Sequence, residues 1–259
     1  MMRTGRFEDQ VAVVTGGAGG IGAQVCAAIA REGGQVAVID LDPDVAAEAA
    51  AQLTETVDRP NLGYGCDVSS ARNLDAVMEH IAADFGRIDV VVALAGGSFG
   101  APRATSELTA DQVDRILDVN AKGTLHTVRA ALPHLTGPTP AVVTVASLAA
   151  RQASGMAGAA YAGAKAAITG MTRSLAHELG DRGIRVNAIC PGLVLTERLE
   201  QLYASMDADQ RASILGAIPL GRFPDICEIV EPLLFLASAQ SSYITGVVLD
   251  VNGGRFMAP

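Results

Sequence analysis

Apolar and polar positions alternate in blocks along this chain. Short apolar runs rich in Val and Ile fall at Gln10–Thr15, Gln35–Asp40, Asn61–Cys66, Ile88–Ala95, Pro140–Ala146, Ile184–Cys190 and Val247–Val251. Each has the length of a strand, and all but Asn61–Cys66, a weaker strand pattern without Val, Ile or Thr, have the β-branched content of one. Ile88–Ala95 is apolar almost throughout, which predicts burial on both faces. Between the runs, residues 21–31, 43–52, 70–85, 109–135, 158–180 and 225–237 carry helical periodicity, with Pro43 well placed at a helix start and a bend expected near Gly123. Strand and helix in strict alternation predict an α/β fold, a parallel sheet with helices on both faces. Thr196–Leu220 breaks the rhythm, being polar and rich in large side chains. Two readings fit it, a lid over a site or an ordinary surface helix pair.

Composition narrows the class. The 259 residues are 49% hydrophobic, enough for a sizeable core in one large α/β domain, and the net charge of −9 argues against nucleic acid as a partner. Cys26, Cys66, Cys190 and Cys227 show no CxxC spacing, so reduced, packed thiols are expected and no metal site. No run reaches the roughly 18 apolar residues of a membrane span, and Met1–Gln10 lacks the apolar core of a signal peptide. The expectation is a cytoplasmic protein without membrane association.

Candidate chemistry begins at the first strand–helix turn, Thr15-Gly-Gly-Ala-Gly-Gly-Ile-Gly22. Glycine lets backbone approach a pyrophosphate, and the following helix offers free N–H groups. Gly17, Gly19 and Gly22 fit GxGxxG; Gly16, Gly20 and Gly22 fit TGxxxGxG. The second strand ends at Asp40, whose carboxylate can accept from adenosine ribose hydroxyls and would repel a 2′-phosphate. No Arg or Lys lies within the turn or in Leu41–Ala51. These features predict NAD(H). Tyr161 and Lys165 share a helical face, so an ammonium can lower the phenol's pKa from about 10 and let it act as acid and base. Ser147 ends a strand, where a hydroxyl can orient a substrate oxygen. Asn120, a poor residue for mid-helix, reads as a backbone-bonding group at a water relay or as the filler of a helix kink.

Taken together, these motifs resemble the classical short-chain dehydrogenase/reductase family over roughly Val11 to Gly254. Asp67 after the third strand, Pro191–Thr196 and Tyr243-Ile-Thr-Gly246 extend the resemblance. It implies a single doubly wound Rossmann domain over 1–259, with 1–9 as a tail and 196–220 as a substrate lid. Its sheet would have seven parallel strands in the order 3-2-1-4-5-6-7. The resemblance favours the TGxxxGxG register and makes Asn120, Ser147, Tyr161 and Lys165 a catalytic tetrad. It carries cofactor contacts onto Gly16, Ala18, Gly20, Ile21, Gly22, Asp40, Leu41, Asp67, Val68, Ala95, Gly96, Tyr161, Lys165, Pro191, Gly192, Val194 and Thr196. It also implies a homotetramer. One segment departs: Ala93-Leu94-Ala95-Gly96 stands where the family has Asn-Asn-Ala-Gly, putting cofactor contacts and strand support there in question.

The expected reaction is NAD-dependent exchange of a secondary alcohol and a ketone. Alternatives are a 3-oxoacyl-thioester reductase and a nicotinamide-sensing protein without turnover. Ser98, Phe99, Leu148, Met156, Leu193 and Leu199–Met206 are the expected pocket walls, mostly apolar and without an Arg or Lys placed for a carboxylate.

Overall fold

A computed structural model describes residues 5–57, 59–153, 155–195, 200 and 203–258. Seven parallel strands form one sheet in the order β3-β2-β1-β4-β5-β6-β7. They are β1 Val11–Thr15, β2 Gln35–Asp40, β3 Leu62–Gly65, β4 Val90–Ala93, β5 Ala141–Val145, β6 Arg185–Pro191 and β7 Val248–Val251. In register, Val13 of β1 faces Ala37 on one side and Val91 on the other. Successive side chains leave opposite faces of a strand, so one run feeds two cores. Ala12, Val14, Val36, Val38, Val90 and Val92 enter one. Val13, Ala37, Ile39, Val91, Val142 and Val186 enter the other.

Helices α1 Gly20–Arg31 and α2 Pro43–Val57 follow the first two strands. Helix α3, Ala71–Phe85, starts where Ser70 accepts a hydrogen bond from Asn73 N and stops at Gly86, whose φ of 84° is left-handed. The expected 109–135 helix is two helices around a wider turn: α4 Ala110–Leu117, a π-helical turn at Asp118–Lys122, and α5 Gly123–Ala131. The turn lies at Asn120, just before Gly123, because the Asn120 Nδ2 donates to Ile116 O at 2.9 Å and replaces a backbone donor there. Helices α6 Ala159–Leu179, α7 Ala208–Gly216 and α8 Cys227–Ala237 complete the layers. Residues 196–199, 201 and 202 lie outside the described residues, so the expected lid is described only in part; α7 falls within it.

Ahead of β1, where a tail was expected, Phe7 is wholly buried and Arg6 pairs with Glu32 and Glu231. Cys26, Cys66 and Cys190 are buried free thiols, and Cys227 is exposed. Among the described residues, no helix is long and apolar enough to cross a membrane.

Candidate active site

The order of strands reverses between β1 and β4, and a crevice opens beyond their carboxyl ends, where open α/β sheets bind ligands. The glycine turn forms one wall. Gly16 and Gly20 have φ of 67° and 54°, which side chains disfavour. A Cβ at Gly22 would run into Gly16 O, whereas one at Gly19 would meet nothing within 4 Å. The backbone therefore requires Gly16, Gly20 and Gly22, and the TGxxxGxG register describes the turn. No side chain caps the N-terminus of α1. Its free N–H groups and the open space at Gly19 fit a pyrophosphate.

From the turn the crevice runs two ways. Toward β2 and β3 lies a cavity of about 940 Å³, bounded by Gly16, Asp40, Leu41, Asp67, Val68, Ala95 and Gly96 among others. Asp40 bonds the turn itself: its Oδ2 accepts from Ala18 N at 3.1 Å and its Oδ1 from Leu41 N at 2.8 Å. Asp67 accepts from Ser69 N at 2.9 Å. Asp111, Asp114 and Asp118 join Asp40 and Asp67 along this wall, against Arg115 alone, whose guanidinium lies 4.7 Å from the centre of the Phe99 ring. Phe99, with φ of 52°, bounds this cavity, a different place from the expected substrate wall.

The second cavity, about 580 Å³, lies over β5 and the start of α6. Ser147, Tyr161 and Lys165 line it with Ile21, Gly96, Pro191, Gly192 and Val194. Ser98, Leu148, Met156 and Leu193 line it as expected, the last three forming apolar walls. The expectation that no Arg reaches this pocket is wrong. Arg103 and Arg255 both line it. They come from segments about 150 positions apart that only the fold brings together. Thr196 and Leu199 lie outside the described residues. Ala18, Gly20 and Gly22 shape the turn and line neither cavity.

Asn120 is fully buried behind the site. Its Oδ1 accepts from Gly97 N at 3.0 Å and its Nδ2 donates to Gly97 O at 2.9 Å, fixing the loop after β4. Gly96 must be glycine there, since a Cβ would strike Asn120 Oδ1. In the Ala93-Leu94-Ala95-Gly96 segment, the backbone is tied to β1 by Thr15 Oγ1, which accepts from Leu94 N at 3.1 Å and Ala95 N at 3.3 Å. Leu94 adds apolar surface to both cavities.

Charge at Lys165 and Tyr161 is shifted mainly by burial. The Lys165 Nζ donates to Val145 O at 2.9 Å, and burial brings its pKa down to about 8. Burial raises the Tyr161 phenol above its usual range, while a hydrogen bond from Ser147 works the other way. The Lys165 Nζ is 5.8 Å from the Tyr161 ring centre. The phenol is thus raised where a lowering was expected, because desolvation by burial outweighs the Ser147 hydrogen bond. Among the described residues, no cluster of His, Cys, Asp or Glu could hold a metal ion.

Comparison with known proteins places this geometry. A family model described as "Enoyl-(Acyl carrier protein) reductase" matches residues 16–255. The chain is 36% identical to cyclohexanol dehydrogenase of Rhodococcus sp. (strain TK6), covering 96% of each chain. It is 38% identical to D-threitol dehydrogenase of Mycolicibacterium smegmatis, over 96% of this chain and 94% of that one. The chain belongs to the short-chain dehydrogenase/reductase family. That membership makes it an oxidoreductase of the class acting on CH–OH groups. A crystal structure of a short-chain type dehydrogenase/reductase from Mycobacterium marinum superposes with a TM-score of 0.88 at 31% identity, covering 97% of each chain. A crystal structure described as a putative D-mannonate oxidoreductase from Haemophilus influenza, with bound NAD, superposes with a TM-score of 0.88 at 26% identity, with 96% of this chain and 95% of that one covered.

Proposed function

We propose that this protein interconverts a secondary alcohol and a ketone with NAD(H), using Tyr161 as the acid and base. The observation that carries the reading is the meeting of Ser147, Tyr161 and Lys165 in one cavity that shares Leu94 and Gly96 with the acidic cavity beside the glycine turn. The nicotinamide ring, when bound, takes or gives the hydride. Ser147 orients the substrate oxygen by hydrogen bonding. Tyr161 takes the hydroxyl proton in oxidation and returns it in reduction. Lys165, protonated, favours the phenolate form of Tyr161. Asn120 anchors Gly97 and holds the floor of the site in place. Leu94, Leu148 and Leu193 exclude water from the reacting carbon.

The choice of NAD(H) rests on charge. Asp40, Asp67, Asp111, Asp114 and Asp118 beside the adenosine end would oppose a 2′-phosphate. Gly16, Ala18, Gly20, Ile21 and Gly22 would hold the pyrophosphate, Asp40 and Leu41 the ribose, Asp67 and Val68 the adenine. Ala95, Gly96, Tyr161, Lys165, Pro191, Gly192, Val194 and Thr196 would hold the nicotinamide half. The same reading takes the chain as one cytoplasmic domain in a homotetramer, with 196–220 closing over substrate.

The test is oxidation of a panel of secondary alcohols with NAD, and reduction of the matching ketones with NADH, beside Tyr161→Phe. The expected result is turnover that falls about 10²–10⁴-fold in the variant, with folding and cofactor affinity kept. Equal rates in the two proteins would overturn the assignment of Tyr161. Cofactor binding without turnover of any alcohol or ketone would favour the sensing role.

A further inference from the structure

The second cavity differs in charge from the rest of the crevice and from the chain. The protein carries a net charge of −9. Around this cavity, however, stand Arg103, Lys165 and Arg255, and no Asp or Glu is among the described residues that line it. The adjoining cavity has the reverse balance, with five aspartates and one arginine. An apolar substrate gains nothing from two guanidinium groups at its walls, and leaving them beside it costs their solvation.

How the arginines are held separates structural roles from a binding role. Arg6, Arg59, Arg87, Arg129, Arg151 and Arg222 each pair with a carboxylate. Near the cavity, Arg151 is consumed in this way, 3.0 Å from Asp250. Arg31, Arg72, Arg173 and Arg211 show no side-chain hydrogen bond or ion pair among the described residues, and neither does Arg255, but of these only Arg255 lines this cavity. Its backbone is pinned, the N–H donating to Asn252 O at 3.2 Å and the carbonyl accepting from Gln152 Nε2 at 3.3 Å. Its half-buried guanidinium has no hydrogen bond or ion pair among the described residues. Arg103, more exposed, gives only Nη1, to Gly155 O at 2.9 Å. Arg255 also borders a neighbouring cavity with Glu228 and Asp250, but these carboxylates pair with Arg222 and Arg151. A fixed backbone carrying an unengaged guanidinium at the wall of the acid-free cavity is suited to receive a planar anion, which accepts two parallel N–H bonds.

We propose that the substrate carries a carboxylate and that Arg255, assisted by Arg103, recognises it, the oxidisable carbon lying at Ser147 and Tyr161. The substrate class is thus an oxo or hydroxy acid with an apolar stretch between its two polar ends, matching the Leu148, Met156 and Leu193 walls. This deepens the reading of the same site as an alcohol–ketone oxidoreductase and rests on it only for the identity of the reacting end.

The experiment measures binding and turnover separately. A series of oxo acids of four to eight carbons, each beside its neutral amide, is titrated by calorimetry into Tyr161→Phe protein holding NAD, which binds without reacting. Expected is at least about tenfold tighter binding of the best acid over its amide, a preference weakened by salt. Arg255→Met should erase it, Arg255→Lys should keep part of it, and Arg103→Met should reduce it a fewfold, with affinity for the amide unchanged in all three. Equal binding of acid and amide, a preference that survives Arg255→Met, or no binding of any acid at tens of millimolar would each overturn the proposal. Turnover of the same series by the unmodified protein tests the other reading. Selective acid binding without reduction by NADH would defeat the alcohol–ketone assignment and leave the anion site standing.

Discussion

Lys165 is a long cationic side chain almost wholly inside the protein, and its environment makes a measurable demand. Burial lowers its pKa from 10.5 to about 8, so the unfolded chain holds a proton there that the folded, ligand-free protein has lost across that interval. The burden on folding is full below about pH 8. It is relieved as pH rises toward 10.5, because stability increases wherever the unfolded state binds more protons. Relative to Lys165→Met, the ligand-free protein should gain on the order of 3 kcal/mol between pH 8 and 10.5. Urea unfolding of both proteins across that range measures the difference, and parallel curves would contradict it. Arg255 belongs to this scale too. Its residue type is plain in the sequence, but nothing local separates an ordinary surface arginine from one whose backbone is pinned at the cavity that Tyr161 lines.

At the scale of elements, β6 and α8 are joined by a buried cation. Arg185 begins β6, where its Nη1 donates to Leu236 O at 2.8 Å and Ser241 Oγ at 2.6 Å, and its Nη2 to Ser238 O at 2.9 Å. These carbonyls lie at and beyond the C-terminal end of α8, which lacks backbone donors and carries the negative end of the helix dipole. Arg185→Met should cost about 1–2 kcal/mol by removing charge-assisted hydrogen bonds, the loss being limited because Ser241 Oγ also donates to Leu236 O at 2.9 Å and to Ser238 O at 3.1 Å; it is read as a lower denaturation midpoint with the denaturant slope unchanged. Arg185→Lys should recover only part, since one ammonium cannot reproduce the spread of a guanidinium. The periodicity of 184–190 reads as a strand and gives no hint of this task. The same limit explains the 109–135 segment. Its periodicity is helical on both sides of Asn120, and the π-turn arises from a side chain competing for Ile116 O.

At the scale of the whole molecule, the crevice has an acidic end near β2 and a basic end over β5. The acidic end should set the cofactor. Asp40→Ala should weaken discrimination against NADP(H), raising its kcat/KM relative to that of NAD(H) by about tenfold. Loss of a single carboxylate removes both a ribose acceptor and part of the repulsion. An unchanged ratio would show that Asp40 serves the turn, through its bond to Ala18 N, and not the ribose.

Much of the fold and half of the site were legible in sequence. Seven apolar runs separated by helical stretches dictated the parallel α/β sheet, because burial period and chain connection leave few other arrangements. Spacing brought Tyr161 and Lys165 to one helix face, and the glycine turn was evident, though the register needed either the family resemblance or the clash of a Cβ at Gly22 with Gly16 O. Tertiary structure alone decided what depends on distance between remote segments and on exclusion of water. It put Arg103 and Arg255 at one cavity, moved Phe99 to the other, and set Thr15 Oγ1 to accept from the Leu94 and Ala95 backbone N–H groups. It also reversed the expected phenol shift. Helical spacing fixes which side chains share a face, but their charge state follows from desolvation, which exists only once the chain has closed around them.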